Sequence, residues 1–313
     1  MIKDLSPREY DAILRWDLGW FAERCFCDLN PQAPFLPNWH IEVIAAKLMA
    51  VREGKIRRLI ITLPPRHLKS LLASIAFPAW CLGHDPSAQI LCVSYAQDLA
   101  DKHARDCRSI MMRPWYQRLF RTRLAPHRHA VQEFITTRQG YRLATSTGGV
   151  LTGRGADLIL IDDPSKPEEA LSDARRNATN EWYLNTLYSR LNHKCRGAIV
   201  IIMLRLHEDD LVGHVLGQEA WEVVRLYSPI GRRMFCRTAS GSRAGCNASP
   251  ARRVKHCGPR IVSIACTWSA SATAGKLTTS HASWPSTWPT RSSSCSRSMM
   301  MTMAPRHLWL SRL

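Results

Sequence analysis

The chain has 313 residues, with 43 Lys and Arg against 25 Asp and Glu and a formal net charge of +18, long enough for a sizeable core or for two domains. No uncharged apolar run approaches the roughly 20 residues that span a bilayer, and the N-terminus MIKDLSPREYDAILRW lacks the apolar stretch of a secretory leader, so a cytoplasmic protein without a membrane partner is expected. The 11 cysteines contain no C-x-x-C pair, which argues for free thiols over zinc or a disulfide framework.

Residues 1–34 read as an N-terminal helical segment. In NWHIEVIAAKLMAVR (38–52), Ile41, Ile44, Ala45, Leu48 and Met49 recur at helical intervals. RRLIITLP (57–64) is a short β-branched run of the kind buried in parallel sheets. After Ser70, LLASIAFPAWCL predicts a buried helix, bent or ended near Pro78. QILCVSYA (89–96) predicts a strand, and QDLADKHARDCRSIMM a helix whose apolar face carries Leu99, Ala104 and Ile110. EFITT and YRLATS suit a hairpin around Gln139-Gly140. DLILIDDP (157–164) is apolar until its end, and a helix over about 168–191 follows, with Glu168, Glu169 and Asp173 at its start. GAIVIIML (197–204) predicts another buried strand and HEDDLVGHVL a helix. Strands alternating with helices predict an α/β fold, a mostly parallel sheet flanked by helices.

Ligands in such sheets sit at the C-terminal strand ends, where LPPRHLKS, IDDP and LRLHEDD all fall. LPPRHLKS (63–70) ends in the Lys-Ser pair of a phosphate-binding loop, Lys69 for phosphates and Ser70 for a metal ion, but Leu63 and Leu68 stand where glycines are usual. The alternative is a solvated Arg-His-Lys turn. Asp162-Asp163 after four aliphatics suits one carboxylate holding Mg²⁺ and the next orienting water, or an acidic turn starting the next helix. In LRLHEDDL (204–211) a polar group could sense a γ-phosphate, or Glu208 to Asp210 could simply open a helix. HExxH zinc chemistry is excluded because residue 211 is Leu.

Taken in order, PPRHLKS, GRGADLILIDDP and LRLHEDDL resemble the ATPase domain of tailed-phage terminase large subunits. FLPNWHIEVI resembles that family's adenine-side motif, and TSTGGVLTGRGADL its glycine-rich lead-in to the Walker B strand. The resemblance spans about residues 35–217 and rests on five agreeing segments. It implies a P-loop NTPase fold of the RecA/ASCE type over residues 35–230, with ATP and Mg²⁺ as cofactors. Nucleotide would be bound by His40, Pro65, Arg66, His67, Leu68, Lys69 and Ser70, and metal by Ser70 and Asp162. Asp163 would be the catalytic carboxylate, in the place of a usual Glu, with Arg66 stabilising charge. Arg205 and His207 would couple hydrolysis to movement, with Leu204 and Leu206 replacing the family's Thr and Trp. Arg154 is a candidate phosphate sensor or subunit contact, or a plain turn arginine. The implied partners are double-stranded DNA, a terminase small subunit and a portal protein, on which the chain would form a homo-oligomeric ring in the cytoplasm of a bacterial host.

Residues 231–313 form a different kind of sequence. All 25 acidic residues lie in 1–222 against 29 Lys and Arg, a net of +4, whereas the last 91 residues carry 14 Lys and Arg and no carboxylate. The family's nuclease domain needs several carboxylates around two metal ions, so nuclease activity is not expected. A basic disordered DNA-binding arm is one reading, although five cysteines and four tryptophans suit it poorly. The preferred reading is an irregular tail translated out of frame after a shift near residues 228–235. Read two bases later, His256-Cys257-Gly258-Pro259 permits Leu-Trp-Pro, a tripeptide common in the family after the ATPase domain, and Met299-Met300-Met301-Thr302 gives Asp-Asp-Asp. The competing functions are a prophage remnant without packaging activity and a helicase-like DNA-dependent ATPase.

Overall fold

The structure is a computed structural model that describes residues 5–151, 153–226 and 261–264, the last as backbone only. Two helices come first, α1 (Pro7–Trp16) and α2 (Leu18–Leu29), followed by α3 (Trp39–Arg52). Ser6 starts α1 with a capping box: Glu9 N–H donates to its hydroxyl while its own N–H reaches the Glu9 carboxylate. The strands are β1 (Arg58–Thr62), β2 (Gln89–Ser94), β3 (Leu124–His129), β4 (Glu133–Thr136), β5 (Tyr141–Ser146), β6 (Leu158–Asp162), β7 (Ala198–Met203), β8 (Glu222–Leu226) and β9 (Ile261–Ile264). They form one sheet in the order β3-β4-β5-β2-β6-β7-β1-β8-β9. From β5 to β9 every pairing is parallel, and β4 is antiparallel to both its neighbours. This is a mostly parallel α/β sheet flanked by helices, with β7 inserted between β1 and β6.

Both faces of the sheet are covered, because alternate residues of each central strand belong to different cores. Leu59, Ile61, Leu158, Leu160, Val200 and Ile202 face the helices on one side, including α1 to α3. Ile60, Ile159, Ile161, Ile199, Ile201 and Met203 pack on the other side against Tyr183, Leu187 and Val212. Leu14, Leu18 and Phe21 of the N-terminal helices share the first core with Ile41 and Ile44, so residues 5–34 are packed into the same body.

Several elements depart from the sequence expectation. Pro78 does not end the helix after Ser70: a π-helical turn, Leu71–Ala76, runs directly into α4 (Phe77–His84), with Pro78 in its first turn, where the missing N–H is tolerated. In α5 (Gln97–Met111) the buried face is Ala100, His103, Ala104, Cys107 and Ile110, with Leu99 only half-buried beside it. The helix expected over 168–191 is broken into a 3₁₀ turn (Glu169–Leu171), α7 (Asp173–Trp182), a π turn (Tyr183–Leu187) and a second 3₁₀ turn. α6 (Pro114–Leu119) and β3 had no clear periodicity, and β8 was hidden behind the acidic helix signal before it. That signal is itself partly loop: α8 is only Leu211–Leu216, capped by the Asp210 side chain on Gly213 N–H. Within the segment read as an irregular tail, Ile261–Ile264 is extended and pairs in parallel with β8, as its β-branched content allows. The remainder of that segment, including the proposed shifted frame, lies outside the described residues.

Candidate nucleotide site

β1, β6 and β7 end side by side, and the three motif segments emerge from those ends. The loop after β1 is anchored at its base by Leu63 N–H donating to Met203 O at 3.2 Å. Two of its residues, Arg66 (φ 64°) and Leu68 (φ 58°), adopt the left-handed conformation. Leu68 therefore takes up the backbone shape that a glycine usually supplies at this place, at a cost of about 1–2 kcal/mol. Left-handed residues alternating with others turn successive N–H groups into a concavity suited to anions. Among the described residues, no backbone carbonyl accepts from the N–H of Arg66, His67 or Leu68. Both prolines, Pro64 and Pro65, precede that stretch, so their missing donors are not lost from it.

The loop is braced by two histidines. His67 Nδ1–H donates to Pro65 O at 2.8 Å, and His40 Nε2–H, from the start of α3, donates to His67 O at 3.2 Å. Carbonyl oxygens can only accept, which fixes the proton on each of those nitrogens. Burial holds the His40 imidazole below its usual pKa, so it is neutral at pH 7. His40 is thus a support beneath the loop, while Arg66 is exposed above it.

Lys69 is buried, 7 % exposed, and its ammonium bridges both oxygens of Asp163, at 2.6 Å to Oδ1 and 2.5 Å to Oδ2. Asp163 itself is left-handed (φ 48°), a conformation Asp tolerates better than most residues. Its N–H donates to Ile202 O, and its Oδ1 accepts from Leu204 N–H at 3.2 Å. Asp162, 1 % exposed, is the last residue of β6. Its Oδ2 accepts from Ser74 Oγ at 2.9 Å and lies 3.9 Å from His103 Nδ1, while Oδ1 is buried with no hydrogen-bond partner among the described residues. Burial, followed by repulsion from Asp163, raises its pKa to about 6. The hydroxyls of Ser70 and Ser74 and the charge of Lys69 oppose that rise, with Ser70 close enough to favour the anion without a well-formed hydrogen bond. A buried carboxylate oxygen without a partner, next to a serine hydroxyl, fits a hard divalent cation. Mg²⁺ commonly takes one or two protein oxygens and completes its shell with water and phosphate. Asp162 and Ser70 are the residues that would hold it.

In the third segment the polar side chains bond within their own turn. Arg205 Nε binds Asp210 Oδ2 at 2.7 Å, and its Nη2 donates to the carbonyls of His207 and Glu208 at 3.0 and 2.9 Å. His207 Nδ1 accepts from Asp209 N–H. Both side chains shape their own turn, and the contact with Asp163 comes from the Leu204 backbone. Arg154 is also outside the cluster, paired with Glu133 at 2.7 Å and lying over the Tyr141 ring. Sequence reasoning missed Ser74, His103 and Arg142, the polar residues packed around or behind Asp162. The one available signal was Ser74, a lone hydroxyl in the apolar run LLASIAFPAW.

No protein-family model and no curated protein matches this sequence. Among solved structures, the chain is similar to the large terminase of bacteriophage HK97, at 14 % identity and a TM-score of 0.40, over 63 % of this chain and 40 % of that one. It is also similar to a point mutant of the large terminase ATPase domain of Thermus phage P74-26, at 15 % identity and a TM-score of 0.37, over 57 % of this chain and 69 % of that domain. The chain thus spans less than half the length of the HK97 protein.

Proposed function

We propose that residues 35–230 are the ATP-hydrolysing core of a motor of the phage terminase large-subunit type, driving double-stranded DNA into a procapsid. The observation that carries this reading is the meeting of Lys69, Asp162 and Asp163 at neighbouring strand ends, beside a loop with left-handed residues whose amides have no backbone acceptor. In this reading the loop amides and the Lys69 ammonium bind the β- and γ-phosphates, and Arg66, exposed above them, stabilises charge that develops on the phosphoryl group. Mg²⁺, when bound, supplies charge neutralisation of the phosphates. Asp163, freed from Lys69 by the incoming phosphates, orients the attacking water and accepts its hydrogen bond. The Leu204 amide then reports the state of Asp163 to the loop between β7 and α8, whose shape Arg205 and His207 maintain. Packaging requires assembly as a ring on a portal protein with a small subunit, and residues 223–313, which have no Asp or Glu, do not supply the carboxylates of a two-metal nuclease.

The test is ATP turnover by the full chain, with and without duplex DNA, beside Lys69→Ala and Asp163→Asn. Lys69→Ala should lose nucleotide binding, and Asp163→Asn should keep binding and lose at least about a hundredfold in turnover, the scale of one catalytic proton-accepting group. Binding without turnover in the unmutated chain would mark it as a prophage remnant. Strand separation driven by ATP would mark it as a helicase instead.

A further inference from the structure

Asp162 has a partner that none of the motif segments contains. Ser74 lies in the π-helical turn between the phosphate loop and α4, and its hydroxyl donates to Asp162 Oδ2 at 2.9 Å. The backbone around Ser74 explains how it is held. Proline has no N–H, so Pro78 cannot satisfy the carbonyl four residues earlier, and its ring would collide with that carbonyl in a regular α-helix. That carbonyl belongs to Ser74. The widened turn, closed by Phe77 N–H on Leu72 O, relieves the collision. Arg142, from β5, supplies the missing donor through Nη2 at 3.0 Å. Ser74, Arg142 and Asp162 are 2 %, 0 % and 1 % exposed, so water does not compete for any of these bonds. The arrangement commits Oδ2 and leaves Oδ1 as the carboxylate oxygen without a partner.

We propose that Ser74 is a positioning residue: its hydroxyl fixes the Asp162 carboxylate so that Oδ1 remains available to a divalent cation shared with Ser70, and Arg142 fixes Ser74 in turn. The π turn is then part of the site, in keeping with the frequent appearance of such turns at functional positions. This role rests on the nucleotide reading above.

The full chain, Ser74→Ala, Ser74→Cys and Ser74→Thr are titrated with a fluorescent ATP analogue, once with Mg²⁺ and once with a chelator, and their urea midpoints are measured without metal. Ser74→Ala should lose about tenfold of the affinity that Mg²⁺ adds, the scale of one hydrogen bond to a charged group. Its affinity in chelator should match the unmutated chain. Ser74→Thr, which keeps the hydroxyl, should restore the Mg²⁺-dependent gain. Ser74→Cys, close in size but a weak donor, should lose part of it and keeps the test alive if the alanine variant does not fold. An unchanged Mg²⁺-dependent gain in the alanine or cysteine variant overturns the positioning role, as does an equal fall with and without metal. If the unmutated chain itself shows no Mg²⁺-dependent nucleotide affinity, the site reading fails and the Ser74 role fails with it.

Discussion

Replacing Leu68 by glycine should leave the protein more stable than replacing it by alanine. At an ordinary position the order is the reverse, because glycine's greater freedom in the unfolded chain makes it less stable than alanine by about 0.4–1 kcal/mol. At a φ of 58° the alanine variant keeps a left-handed penalty of about 1–2 kcal/mol that glycine does not have. At the middle of the two ranges the difference favours glycine by about 0.8 kcal/mol. Both variants lose the packing of a half-buried leucine against the main core, so that loss cancels in the comparison. Urea unfolding of the two variants in parallel reads the sign as a midpoint difference of a few tenths molar, at a slope of about 2–3 kcal/mol per molar. Leu68→Gly should also bind nucleotide at least as well as the unmutated chain. An alanine variant as stable as, or more stable than, the glycine variant would refute a left-handed residue 68 and, with it, the anion-binding shape of the loop.

Two further perturbations address other parts of the molecule. His84 donates through Nε2 to Arg15 O at 2.8 Å and packs edge-on against Trp80, and burial, with the Arg52 charge adding to it, lowers its pKa to about 4. A histidine depressed from about 6.5 contributes stability that is complete above pH 6.5 and is lost as pH falls toward 4. The urea midpoint of His84→Gln should therefore fall less steeply than that of the unmutated chain between pH 7 and pH 4.5, and parallel curves would remove His84 from the acid response. Arg154→Ala, which breaks a partly exposed pair with Glu133, should change stability by less than about 1 kcal/mol and leave nucleotide affinity unchanged; a tenfold loss of affinity would restore Arg154 as a phosphate contact.

The central strands were legible because they are short, apolar and bounded by charge: β1, β2, β6 and β7 each fall inside the segments that their β-branched runs mark. The same contrast located Lys69, Asp162 and Asp163, since a charge that follows an apolar strand must sit at the sheet's end. Features set by long-range contacts were not legible. Ser74 reads as a tolerated hydroxyl in an apolar helix until Asp162, 88 residues later, is seen beside it. Arg142 alternates correctly for a half-exposed hairpin strand, yet α5 covers it completely. Pro78 was read as bending or ending the helix because local rules count the donor it lacks. They do not count Arg142 as a substitute from another strand. The turn after β7 looked like a helix start from its three acids, but Arg205 recruits Asp210 and two carbonyls and keeps the first residues out of the helix.

The ion pair between Lys69 and Asp163 also sets the resting behaviour of the site. On the proposed reading, the cation that would bind phosphate and the carboxylate that would orient water neutralise each other in this structure. A ligand must displace one to reach the other, and only a group with enough negative charge to outbid a carboxylate can do so. Adenosine and other uncharged fragments should gain no access to Asp163, while triphosphates release it as they bind. On the proposed reading the pair would act as an interlock, keeping Asp163 idle until the phosphate chain is in place.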